Sequence, residues 1–132
     1  DPAGQGASRT VIIGDLNSYD HEDPVTALVA GGYADMEKKF SGEQAYSYVF
    51  DGMAGYLDHA LANPAAQESI IDARAWHINA DEADILDYDM TYKKAAEQDL
   101  YSPDPYRSSD HDPVVTPSPA NPPRRPHPRR RP

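Results

Sequence analysis

The chain has 132 residues, enough for one domain and too few for several. It has no cysteine, which excludes a disulfide framework and a thiolate metal site. The formal charge of −10 is unevenly spread: residues 1–116 hold seven basic against 22 acidic residues, a net of −15, while five arginines make the tail +5. So acidic a body does not bind nucleic acid by charge alone, since phosphate contacts need Lys and Arg. Divalent cations on clustered carboxylates reverse that sign locally. No apolar window is long enough to span a bilayer, so no membrane partner is expected. The first residue is Asp1, and the native start, with any export signal, is expected upstream of it.

Residues 1–8 are small and turn-prone and read as a connection. Residues 9–14 (RTVIIG) are apolar and β-branched, predicting a strand buried on both faces. Asp23-Pro24 reads as an N-cap followed by proline at the first helical position, opening a short helix that Gly31-Gly32 stops. Residues 46–50 predict a strand, Asp51-Gly52 a hairpin turn, and 55–61 the partner strand. Asn63-Pro64 breaks that strand, and 71–77 predict another. Residues 79–89 form an acidic loop, 93–106 a polar connection, and Val114-Val115 begin a last strand. From Pro117 the chain is Pro and Arg with no apolar residue beyond Ala120, so 117–132 is expected to be a disordered tail. The order points to an α/β protein of the layered α+β kind with a mainly antiparallel sheet, folded over 9–116.

Three segments carry reactive groups. In Gly14-Asp15-Leu16-Asn17, residues two apart on an extended strand share a face, placing a carboxylate beside a carboxamide at the strand mouth. A strand ending in an ordinary Asp/Asn turn explains the same residues. In Tyr56-Leu57-Asp58-His59-Ala60-Leu61, Asp58 interrupts an apolar strand and needs a partner from elsewhere in the chain to offset its desolvation. His59 points the other way and reads as a surface or groove histidine. In Ser108-Ser109-Asp110-His111-Asp112-Pro113-Val114, His111 stands between two carboxylates that favour its cationic form. An imidazolium facing a phosphate stabilises the charge that develops in the transition state, and a neighbouring carboxylate can hold a divalent cation doing the same.

GDLN, YLDHAL and SSDHDPV, in this order, resemble the GD(L/F)N, LD-x-x-L and SDH-x-P signatures of the endonuclease/exonuclease/phosphatase superfamily. The similarity is closer to large secreted bacterial endonucleases, over YSYVFDGMAGYLDHAL, WHINADE, LDYDMTYK and LYSPDPYRSSDHDPV, and covers roughly residues 9–115. The resemblance implies a secreted, metal-dependent phosphodiesterase acting on nucleic acid, DNA before RNA, with Mg2+ or Mn2+ and with Ca2+ as an alternative. It implies the C-terminal half of a four-layer αββα sandwich. By the resemblance, Asp15 would orient or deprotonate the attacking water, Asn17 would hold water and phosphate, Asp58 would pair with His111, and His111 would contact the scissile phosphate. Asp110, with Asp15, would ligate the metal. The family's early metal-binding glutamate has no counterpart, because Glu22, Glu37 and Glu43 all follow GDLN. A missing N-terminal half or a self-associated copy is therefore an expected partner. The alternatives are an inactive fragment or accessory module, and a phosphatase acting on a lipid or inositol phosphate.

The remaining polar features have plainer readings. The acidic run from Asp81 to Asp89 reads as a solvated loop rather than a calcium loop. Asp15-x-Asn17 opens like an EF-hand loop, but Asp20 stands where that loop requires glycine. Trp76, Tyr46, Tyr48 and Tyr56 are expected in the core. The Pro/Arg tail reads as inert rather than as a DNA-binding arm.

Overall fold

A computed structural model describes Gly6 and residues 8–117, so the predicted tail lies outside the described residues apart from Pro117. The central element is β5 (Asp58–Ala62), every residue of which is buried. It pairs antiparallel with β1 (Val11–Asp15) in a register running from Val11↔Ala62 to Asp15↔Asp58. Its other edge takes β2 (Ala34–Asp35), giving the order β1-β5-β2.

The 55–61 segment is thus not the hairpin partner expected for 46–50. The Asp51-Gly52 turn, with φ of 54° and 77° as a two-residue type I′ turn requires, joins β3 (Tyr48–Phe50) to β4 (Met53–Gly55). Beyond Tyr56-Leu57 the chain crosses to the other sheet. An Asp58–Ala62 strand with apolar side chains on both faces needs two covering layers, which a two-stranded ribbon cannot supply.

Helix α1 (Asp23–Ala30) follows Glu22 rather than Asp23 as its N-cap, and ends where the Gly31 amide donates to the Ala27 carbonyl at 2.9 Å. Val25 is its one buried residue. Helix α2 (Met36–Ser41) is capped by Asp35, whose Oδ1 accepts from the Lys38 amide at 3.1 Å. Asn63 does more than break a strand: its Oδ1 caps α3 (Pro64–Gln67) through the Ala66 amide at 3.0 Å and also accepts the Thr10 amide at 3.1 Å. Within the predicted 71–77 strand only β6 (Arg74–Ala75) is extended and paired, with β7 (Val114–Val115). The predicted 93–106 connection contains a further short helix, α4 (Ala95–Gln98).

Among the described residues every strand pairing is antiparallel, and short helices accompany the antiparallel sheets, a mixture compatible with an α+β protein. The core cluster sets four alanines, Ala60, Ala62, Ala66 and Ala73, around Met36, with Ala34, Ile70 and Val114 packed against it. The expectation that 9–14 is buried on both faces fails. Val11 and Ile13 are 41% and 52% exposed, because β1 is an edge strand and the core ends beneath β5. Trp76 is exposed rather than in the core, Tyr46 and Tyr48 are half-buried, and Tyr56 is buried as expected. His59, read from sequence as a surface residue, is wholly buried. No helix among the described residues is long and apolar enough to cross a membrane.

Candidate active site

The β1–β5 register places Asp15 directly opposite Asp58, and directly opposed residues of an antiparallel pair project from the same face. The segment after β4 leads straight into β5, while a single bridge between Tyr48 and His111 draws the 108–113 loop alongside β3. These two non-local pairings bring Asp15, Asp58 and His111 together, with one ligand atom of each within 4.8 Å of the others.

Asp58 Oδ2 receives two donors. One is His111 Nδ1 at 2.7 Å and the other is the Ser47 hydroxyl at 2.8 Å, so the partner Asp58 needed is 53 residues away. A carboxylate on Nδ1 fixes that nitrogen as the donor and turns Nε2 outward. The Tyr48 ring lies 4.6 Å from the imidazole, restricting its tilt. Removing the Ser47 hydroxyl strips one donor from a buried carboxylate. Ser47→Ala is expected to cost about 1–2 kcal/mol in a urea titration, and an unchanged midpoint would mean that water replaces the hydroxyl.

Asn17 does not lie beside Asp15 on an extended strand. The strand ends at Asp15, Asn17 adopts a left-handed φ of 50°, and its amide donates to Asp15 Oδ1 at 2.7 Å. This Asx turn occupies one oxygen of Asp15 and leaves the other free. Asp110 lies outside the trio. Its charge reaches the Tyr48 phenol, which burial first and Asp110 second push above the ordinary tyrosine value.

Asp112 does not face His111 as the flanking-carboxylate reading expected. It is wholly buried, and its Oδ1 accepts the amides of Ile78, Asn79 and Ala80 at 3.0, 2.8 and 3.0 Å. Its Oδ2 takes His77 Nδ1 at 2.8 Å, and its own amide donates to the Ser47 carbonyl at 2.7 Å. Asn79 adds a bond from its side-chain amide to the His111 carbonyl at 2.7 Å. The 77–80 stretch, given no role from sequence, is therefore what holds the His111 loop in place. The acidic 79–89 loop is not merely solvated, since Arg107 pairs with Asp84 and Asp87 at 2.7 and 3.4 Å.

Behind the site is a second buried polar group. Both nitrogens of His59 meet acceptors, Asp35 Oδ2 at 3.3 Å and the Ser18 carbonyl at 2.7 Å, as only an imidazolium can satisfy. Burial works against that charge, but the bonds to Asp35 and Ser18 outweigh it and the His59 pKa is raised. Burial likewise opposes ionised Asp35, yet donors from His59, the Lys38 amide and Tyr56 hold its carboxyl below the usual range. Glu37, also fully buried, is the opposite case. Burial first, and the neighbouring Asp35 charge second, push its pKa up to about 7, and neither carboxyl oxygen has a hydrogen-bond partner of good geometry.

The donor set suits a hard divalent cation. Asp15 and Asp58 each keep one oxygen clear of the bonds described, and Mg2+ favours one or two carboxylates completed by water and phosphate oxygens. His111 Nδ1 is committed to Asp58, so the histidine serves the site through Nε2. No family model, no curated protein and no solved structure matches the chain. Sequence reasoning missed Ser47 and set Asp112 beside the His111 ring, whereas it faces the 78–80 amides. Alternation in Tyr46-Ser47-Tyr48 does turn Ser47 away from its aromatic neighbours, but nothing local marks the residue it meets.

Proposed function

We propose that the chain is the C-terminal half of a secreted, metal-dependent phosphodiesterase of the endonuclease/exonuclease/phosphatase class, acting on nucleic acid. The observation that carries the reading is the Asp58–His111 pair at 2.7 Å with Asp15 beside it, assembled from the three segments on which the family resemblance rests. In this reading Asp15 orients the attacking water and takes its proton. Asn17 holds water and phosphate, and the His111 Nε2 proton binds a phosphoryl oxygen. Asp58 keeps the imidazole oriented. The water oxygen bonds to phosphorus as the bond to the leaving oxygen breaks. Asp15 and Asp58 would hold Mg2+ or Mn2+, which when bound would neutralise phosphoryl charge. The ligand role expected for Asp110 passes to Asp58, because Asp110 is outside the trio.

The other half of a four-layer αββα sandwich would lay its sheet beside β1, whose exposed Val11 and Ile13 suit such a neighbour. One observation favours the second reading, an inactive half awaiting a partner. None of the three glutamates preceding Asp58 is free at the site: Glu37 is buried, Glu22 accepts the Tyr19 amide at 2.9 Å, and Glu43 pairs with Lys38 at 3.4 Å.

The test is cleavage of supercoiled plasmid and of a single-stranded oligonucleotide with Mg2+ or Mn2+, beside EDTA and His111→Ala controls. Metal-dependent cleavage abolished in the variant is the expected result. Absence of cleavage by the parent chain would assign it to the inactive reading, and cleavage surviving in the variant would remove His111 from the mechanism.

A further inference from the structure

The β3–β4 hairpin leaves a run of rings leading away from the site. His111 packs on Tyr48, and the Tyr48 and Phe50 rings lie nearly parallel, 8° apart with centroids at 6.3 Å. Phe50 is 61% exposed and Met53, across the turn, 70% exposed. Both line a cleft of about 480 Å3 that Tyr19, two residues beyond Asn17, also lines. The cleft is linked to the reactive groups through Tyr48, whose ring contacts those of both Phe50 and His111, and it is large enough for a nucleoside.

Its charge says what it does not take. No Lys or Arg lines it, and its two carboxylates, Asp20 and Glu43, are both paired with Lys38, so the lining offers a phosphate no free Lys or Arg. Elsewhere Lys38, Arg74 and Arg107 are already tied to carboxylates. Affinity for a polyanion at this cleft then draws on bound cations and on uncharged contacts. Exposed rings and a thioether offer stacking against the flat face of a base, an interaction indifferent to sequence. A base inside a duplex has both faces covered by its neighbours and cannot use it.

We infer that the substrate of this site is unpaired nucleic acid, and that Phe50, with Tyr19 and Met53, stacks a base adjoining the scissile phosphate. The inference rests on the phosphodiesterase reading for the phosphate's place, while the stacking is measurable without turnover. Phe50 and Tyr19 are positioning residues that set which nucleic acid reaches His111.

The test uses the full chain and a short oligonucleotide carrying 2-aminopurine, single-stranded or as a blunt duplex, titrated with and without Mg2+. The single strand is expected to bind with quenched fluorescence and at least about 10-fold tighter than the duplex. Phe50→Ala is expected to weaken that binding by about 10-fold, within the range of one base–aromatic stack, and Phe50→Trp to restore it. Phe50 is largely exposed, so the substitution leaves the core intact. Equal or tighter duplex binding, no binding of either strand, or a Phe50→Ala dissociation constant equal to the parent's overturns the inference. Cleavage is scored separately. Quenched single-strand binding without cleavage leaves stacking standing and removes the hydrolytic reading. Cleavage without strand discrimination does the reverse.

Discussion

Glu37→Gln is expected to stabilise the protein at pH 8 by on the order of 3 kcal/mol and to do little at pH 4.5. Glu37 sits at the start of α2, fully buried, facing the charges of Asp35, Asp58 and His59. Its pKa rises from an ordinary 4.5 to about 7, so between those values the folded state binds a proton that the unfolded chain has released. Folding stability therefore falls as pH rises through this window, and the full penalty is present above pH 7. A neutral amide of the same shape removes the penalty at high pH and has nothing to remove at low pH. His59, with its raised pKa, contributes stability present below its unfolded value and lost as pH rises through its folded value. That slope is shared by both proteins and largely cancels in the comparison. Urea midpoints of parent and variant at pH 5 and pH 8 measure the effect. Equal differences at the two pH values would mean that Glu37 carries its charge in the fold at no cost.

Asp112→Ala is expected to cost about 3–5 kcal/mol, a large part of the total stability of a domain this size. The substitution orphans the amides of Ile78, Asn79 and Ala80 in a wholly buried setting, each worth roughly 1–3 kcal/mol if water cannot reach it. It also frees His77 Nδ1. Asp112→Asn keeps a carbonyl oxygen for the amides but turns an NH2 group toward His77 and should cost less. Denaturant titration of both variants checks the order, and a loss below 1 kcal/mol for alanine would show that the 77–80 loop refolds around the gap. Because Asn79 also holds the His111 carbonyl, cleavage should fall in Asp112→Asn even where the protein stays folded.

What was readable in the sequence follows the range of the interactions. Asp58 betrayed itself as a carboxylate inside an apolar run, and its need for a distant partner is met by His111. The Asp51-Gly52 turn and the α1 stop at Gly31 are local backbone chemistry and lie where expected. Strand partnership is not local. The strong turn signal assigned Asp58–Ala62 to β3, whereas it is the centre of a different sheet. Asp110-His111-Asp112 looks symmetrical in sequence, and only the path of the loop decides that Asp112 turns inward while Asp110 stays near Tyr48. Glu37, in Met36-Glu37-Lys38-Lys39, has the neighbours of a solvated helix residue, so nothing in the pattern announces its burial.

The two halves of the Asp58–His111 pair stand on ground of very different depth. Among the described residues, Asp58 opens the one strand that is buried throughout and has a partner on each edge, the part of such a fold whose amides exchange with solvent last. His111 rides a loop fastened by one bridge, a two-residue strand pair and the bonds around Asp112. Partial opening therefore releases the histidine while the carboxylate stays fixed. Hydrogen exchange is expected to show the amides of β5 protected longer than those of the His111 loop, so that the site is lost first at its histidine.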